Sequence, residues 1–227
     1  MSADAKRHKL HAAPVEVLKR LPGMDRVMMV VRANGLVHER IGLVEQVEVG
    51  TGPVKISGKC HSSEINDSLL VAVELDTFSE MRGKVYPRLD FLGQEDEILF
   101  SVVGLEGLEV FAAALVSFER EAIDLRPRPS VEDAAPDLEN DPARPFLDGL
   151  IGGDEVTVEV AVAAITQRWT GKIEDIRAVG GCFNILTKDF HLHLPAECFS
   201  GWSEDNGRHT GILLDGCRSS LTIGSGR

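Results

Sequence analysis

"AITQRWTGKIEDIRAVGG", residues 164–181, can be laid on "LVHERIGLVEQVEVGTGP", residues 36–53, with Arg168 against Arg40, Gly171 against Gly42 and Glu174 against Glu45. Self-similarity of this kind marks a duplicated unit. The correspondence continues downstream, where "GRHTGILLDGCRSSLTIGS" (207–225) lies beside "GKVYPRLDFLGQEDEILFSV" (83–102) with Gly207 opposite Gly83. The chain therefore reads as a tandem duplication. In both copies the segments are short, apolar or alternating, and broken by "TGP", "RGK", "GQED", "AVGG" and "EDNG". That is how antiparallel strands joined by tight turns are written. The clearest strand is "EVTVEVAVAA" (155–164), with Val156, Val158 and Val160 on one face.

Helical spacing is confined to a few places. "EGLEVFAAALVSFERE" sets Leu108, Phe111, Ala112, Leu115 and Phe118 on one stripe. Residues 13–21 and 143–151 each read as a short helix opening a strand-rich region. Between Glu119 and Pro142 the sequence is rich in Pro, Asp and Glu and poor in large apolar residues, so it reads as a linker. The expected organisation is a first repeat over 10–120, an acidic linker over 121–142 and a shortened second repeat over 143–225. The second copy lacks a helix matching 106–120. Pairing between the sheets of the two halves, or a homodimer, would cover what that leaves open.

Composition narrows the classes of function. The 227 residues carry a formal net charge of −12, which disfavours nucleic acid and anionic membranes as partners. No stretch approaches the roughly 20 apolar residues of a membrane span, and the basic start lacks an apolar signal core. The expectation is a soluble cytoplasmic protein without membrane insertion. Cys60, Cys182, Cys198 and Cys217 stand singly with no C-x-x-C pair, so they read as buried free thiols. No G-x-S-x-G elbow, P-loop or H-E-x-x-H motif occurs.

One constellation invites a chemical reading. His191 and His193 stand two residues apart within the apolar run "FNILTKDFHLHLPAECF" (183–199). On a strand they share a face while Phe190, Leu192 and Leu194 face a core, so the two imidazoles can pinch a metal ion. The other reading is a half-exposed strand with hydrogen-bonded histidines. A third ligand would come from His209 or Glu197.

The same stretch, "RWTGKIEDIRAVGGCFNILTKDFHLHL" (168–194), resembles the second-repeat run of the bacterial haem-utilisation proteins of the HemS, ChuS and ChuX type. Thr170, Gly171, Gly181, Phe183, Asn184, Leu186, Phe190, Leu192, His193 and Leu194 fall in register. In "LPGMDRVMMVVRANGLVHERIGLVEQV" (21–47), Val27, Met28, Arg32, Val37, His38, Glu39 and Gly42 are similar to the first-repeat run. "RLDFLGQEDEILFSVVGLEGLEVFAAALVSF" (88–118) resembles the family's turn, strand and helix that follow. Together these cover most of 14–120 and 143–224. The resemblance implies an α+β fold of two repeats, each a large antiparallel sheet with flanking helices. It also implies a cytoplasmic protein that binds haem and passes it on or degrades it.

Haem iron takes His, Cys, Met or Tyr as axial ligand, and propionates favour Arg or Lys. The family's principal iron ligand is a His between the repeats, yet residues 119–142 hold no His, Tyr, Met or Cys. The remaining candidates for haem are His38, Arg40, Tyr86, Arg88 and His193, with His191 and His193 as metal ligands. Arg82 and Lys84 are further candidates for propionates. His38 also reads as a ring hydrogen-bonded to Glu39 at a turn, Tyr86 as a structural aromatic, and Trp169 and Trp202 as packing residues. Arg88 is shifted by one residue from the family position, and Glu204 and Asp205 stand where the family tends to carry Arg-Lys. Two functions follow: a cytoplasmic haem-binding and haem-trafficking protein, or a paralogue that keeps the scaffold for protein association or another small ligand. A haem-degrading enzyme is the third reading.

Overall fold

Period-two alternation writes much of the backbone. In Ile98–Gly104 residues 100, 102 and 104 are buried, and in Arg218–Ser225 residues 219, 221 and 223, so each strand has one dry and one wetter face. The computed structural model describes residues 6–81, 83–126 and 137–226. Ten residues of the expected linker, 127–136, and the candidate Arg82 lie outside the described residues. The first half of the sequence supplies β1 (Arg7–Leu10), β2 (Arg26–Ala33), β3 (Leu36–Leu43), β4 (Gln46–Glu48), β5 (Val54–Gly58), β6 (His61–Ile65), β7 (Ala72–Asp76), the short β8 (Glu80–Met81) and β9 (Lys84–Val85), β10 (Arg88–Leu92), β11 (Ile98–Gly104) and β12 (Arg120–Ala122). The second supplies β13 (Val156–Val162), β14 (Ile165–Gly171), β15 (Arg177–Val179), β16 (Cys182–Leu186), β17 (Phe190–Pro195), β18 (Phe199–Asp205), β19 (Arg208–Leu213) and β20 (Arg218–Ser225).

The chain divides into two compact units, and neither is continuous in sequence. The first comprises Met1–Val30, Arg40–Ser130 and Ala163–Ile165; the second comprises Val31–Glu39, Val131–Val162 and Thr166–Arg227. In the first unit β12, β1, β7, β10, β11 and β2 run in that order, each antiparallel to the next, and β4, β5 and β6 form a meander. In the second unit β15, β16 and β17 form another meander. There, too, β18, β19, β20 and β13 pair in sequence, all antiparallel.

The duplication is visible in the registers. Val54 faces Ile65 and Ile56 faces Ser63 in the first meander; Phe183 faces Leu194 and Ile185 faces Leu192 in the second. At a constant offset of 129 residues the two meanders thus repeat the same cross-strand pairs. Together the two halves make the two-repeat α+β architecture, dominated by antiparallel sheet.

The helices are shorter than the sequence pattern. α1 (Pro14–Leu18) opens on proline, whose fixed φ suits a first turn. α2 (Leu108–Ala114) buries Phe111 completely, as it does Leu115 just beyond its end, but leaves Leu108 partly exposed. It ends early because the chain is drawn to the open edge of β1: the His11 amide donates to the Glu119 carbonyl at 3.0 Å, and Arg120–Ala122 then pair with β1. α3 (Arg144–Asp148) buries Leu147. No helix among the described residues is long and apolar enough to cross a membrane. The cysteines are free, but none is buried as expected: Cys60, Cys182 and Cys198 are half-buried, and Cys217 is exposed in the β19–β20 turn.

One face of the first unit's sheet is apolar, with Phe91 and Phe100 stacked at 4.5 Å. The other face carries a buried ionic cluster. Arg7, 1 % exposed, donates to Glu74 (2.7 Å), Asp76 (3.1 Å) and Asp90 (2.8 Å). Register explains the convergence: Arg7 faces Asp76, Asp76 faces Arg88, Glu74 faces Asp90 and Asp90 faces Ser101, all on one side of the sheet.

Candidate functional site

The site grows from the β15–β16–β17 meander of the second unit. Gly180 and Gly181 make the two-residue link between β15 and β16 with φ of +63° and +72°, a left-handed pair that suits a tight hairpin and that side chains disfavour. In β17 Phe190, Leu192 and Leu194 are buried at 0–1 % exposure, and the alternating His191 and His193 lie on the wetter face. Cross-strand partners share a face, so His191 stands with Leu186, and His193 with Asn184 and then Arg177. Val179 and Cys182 complete that face.

The residue that joins the two histidines is Glu39, from the part of β3 that belongs to the same unit. Its Oε2 lies 3.2 Å from His191 Nδ1 and 3.7 Å from His193 Nε2. Ligand atoms of Glu39, His191 and His193 all lie within 4.8 Å of one another. The carboxyl side chain is 12 % exposed, against 30 % and 32 % for the two histidines. Burial would raise its pKa; hydrogen bonds to His191 and then His193, with the attraction of their charge, outweigh that and hold it at about 2.

Asn184 fixes the chemistry of His193. Its amide nitrogen donates to the carbonyls of Arg177 (3.0 Å), Val179 (3.0 Å) and Cys182 (2.9 Å), so its oxygen faces the other way. That oxygen lies 2.7 Å from His193 Nδ1 and can only accept, which makes Nδ1 the protonated nitrogen and leaves Nε2 toward Glu39. For His191 the carboxylate is likewise an acceptor, so Nδ1–H donates to Glu39 and Nε2 carries the lone pair.

The other expected site residues are placed in different surroundings. His38 is fully buried; its Nδ1 lies 2.8 Å from Gln167 Oε1 and its ring packs on Phe190 at 4.9 Å. The alternative partnership with Glu39 at a turn does not form, because neighbouring strand residues point to opposite faces. Arg40, 4 % exposed, donates from Nε to the Cys60 carbonyl at 2.8 Å. Tyr86 donates its amide to the Ser79 carbonyl at 2.8 Å and has Lys84 Nζ 5.7 Å from its ring. Arg88 joins the ionic cluster, bonded to Asp90 at 3.0 Å and Asp76 at 3.3 Å. Lys84 donates to the Leu105 carbonyl at 2.6 Å.

His209 and Glu197, the expected third ligands, do not join the two histidines, whose cluster is completed by Glu39. The His209 ring lies 4.6 Å from that of Phe146, and the Glu197 backbone amide donates to Asp141 at 2.6 Å. Glu39 takes their place. Trp169 stacks on Phe190 at 4.5 Å and Trp202 on Phe146 at 4.3 Å, both as packing residues.

No family model matches the chain, and no curated protein matches it by sequence. Solved structures do match. ChuS, the heme degrading enzyme of Escherichia coli O157:H7, superposes with a TM-score of 0.77 at 15% identity, covering 99% of this chain and 83% of that one. Holo-PhuS, a heme-binding protein from Pseudomonas aeruginosa, gives 0.73 at 16% identity, covering 98% of this chain and 82% of that one. The match runs over nearly the whole of this chain, which has the fold of ChuS and PhuS.

Proposed function

We propose that this protein binds haem and carries it in the cytoplasm as part of bacterial haem-iron utilisation. The observation that carries the reading is His191. A ring whose Nδ1–H is held by a mostly buried carboxylate offers Nε2 as a basic, oriented donor, the arrangement that suits an axial iron ligand. The fold it shares with ChuS and holo-PhuS supports the same reading by analogy.

The surroundings fit in kind. Leu186 and Val179, 45 % and 63 % exposed, put apolar surface on the face that carries His191, and Arg177 on that face is a cation for a propionate. Bound haem would supply an iron centre, which His191 would hold through Nε2 while Glu39 orients the ring. His193 acts through Glu39, and His38 and Arg40 hold their strand in place.

Hemin titration of the full chain, followed by absorbance, tests this. One equivalent should give a saturating Soret shift that His191→Ala abolishes and His193→Phe retains. Featureless, unsaturable uptake would overturn it. A second reading, a scaffold kept for another small ligand, is favoured by the absence of any His, Tyr, Met or Cys between residues 119 and 142; it gains if hemin fails.

A further inference from the structure

We propose that Glu39, His191 and His193 form a binding site for a divalent transition-metal ion of the zinc class. The donor set is two imidazole nitrogens and one carboxylate oxygen, which suits zinc and its neighbours rather than calcium or magnesium. Both histidines approach the same carboxylate oxygen, at 3.2 and 3.7 Å. Ligands about 2.0–2.1 Å from a tetrahedral ion sit roughly 3.3 Å apart, so these two spacings already approach those of a coordination shell.

The orientation of His193 supports the same reading. Asn184 bonds Nδ1, so Nε2 is the nitrogen turned toward the carboxylate oxygen, 3.7 Å away. An ion between them would take that nitrogen and that oxygen together with His191, within a cluster whose ligand atoms all lie within 4.8 Å of one another. Asn184 then acts as an outer-shell residue that orients a ligand. The ion would use Nδ1 of His191, with the ring proton on Nε2, whereas a haem ligand would use Nε2 with the proton on Nδ1, so the two are alternatives at this ring and the metal site is tested without haem.

The test uses the full chain after chelator treatment, without haem. Titration with Co²⁺, followed by its visible d–d absorption, should show one ion per chain, displaced by Zn²⁺. Glu39→Gln and His193→Ala should each weaken Co²⁺ binding by at least ~100-fold. Asn184→Ala, which leaves all three ligands in place, should weaken it by ~10-fold, as outer-shell changes do. His191→Asn, at a partly exposed position, carries the ligand test if His193→Ala does not fold. Absence of a saturable d–d band overturns the proposal. So does wild-type affinity in the His191 and His193 variants, or uptake abolished by converting the four cysteines to serine.

Discussion

His193 Nδ1 donates to Asn184 Oδ1 at 2.7 Å, and the same Asn184 side chain donates to three backbone carbonyls of the Gly-Gly hairpin. One amide thus closes a turn and sets the orientation of a ring. Asn184→Ala leaves partners on both sides without their bond, each such loss costing about 1–3 kcal/mol when buried. We expect unfolding stability to fall by about 2–4 kcal/mol. Asn184→Asp should be worse, since it turns a charged acceptor toward three carbonyls. Urea denaturation with an unchanged m-value reads both, and a loss within error of zero would remove the structural half of the role.

Glu39 links the site to acid stability. Its carboxyl is held at about 2 against an ordinary 4.5, so the native state favours the ionised form and binds fewer protons than the unfolded chain. The stabilisation is complete above about pH 4.5 and disappears as pH falls through 2, about 3 kcal/mol in all. Wild type should therefore exceed Glu39→Gln in stability near neutral pH and converge with it across that acid window. A difference independent of pH there would show that the carboxylate is not held by its histidines.

The duplication was legible because Gly42 and Gly171 stand at matching places 129 residues apart; Arg168, only 128 residues after Arg40, is one residue out of that register, so Arg40 lies among the buried positions of β3 and Arg168 on the wetter face of β14. The facing of His191 and His193 followed from period two alone. Glu39 is not legible as their partner because the chain distance from it to His191 is 152 residues and no local pattern encodes which strand lies beside another. Period two did contain a clue: His38 and Glu39 must face opposite ways, so His38 in the core left Glu39 for the other face. The Arg7 cluster was illegible for the same reason, since "RHKL", "AVELD" and "RLDFL" are unremarkable until β1, β7 and β10 are adjacent.

Arg7 is the cation around which that cluster closes. Burial opposes its charge, but hydrogen bonds to Asp90 and Glu74 and their charge outweigh that and raise its pKa. Arg7→Met would leave Glu74, Asp76 and Asp90 without it in a buried setting, and removing one partner of a buried ion group typically costs about 3–5 kcal/mol. Arg88→Met, at a position 31% exposed on the rim of the cluster, should cost about 1 kcal/mol or less. Equal losses in the two variants would contradict the centrality of Arg7.

His38 and Gln167 stand 129 residues apart, the spacing of Gly42 and Gly171, and hydrogen-bond to each other at 2.8 Å. If the pair serves packing, His38→Leu and Gln167→Leu should each lower stability by about 2 kcal/mol by stripping one buried partner. The double variant should recover part of the sum, since replacing both partners with apolar groups removes the stranded polar atom. Hemin titration separates this role from ligation. His38→Leu should retain the Soret shift of the wild type while its denaturation midpoint falls. A lost Soret shift at unchanged stability would move His38 out of the core pair and into the ligand set.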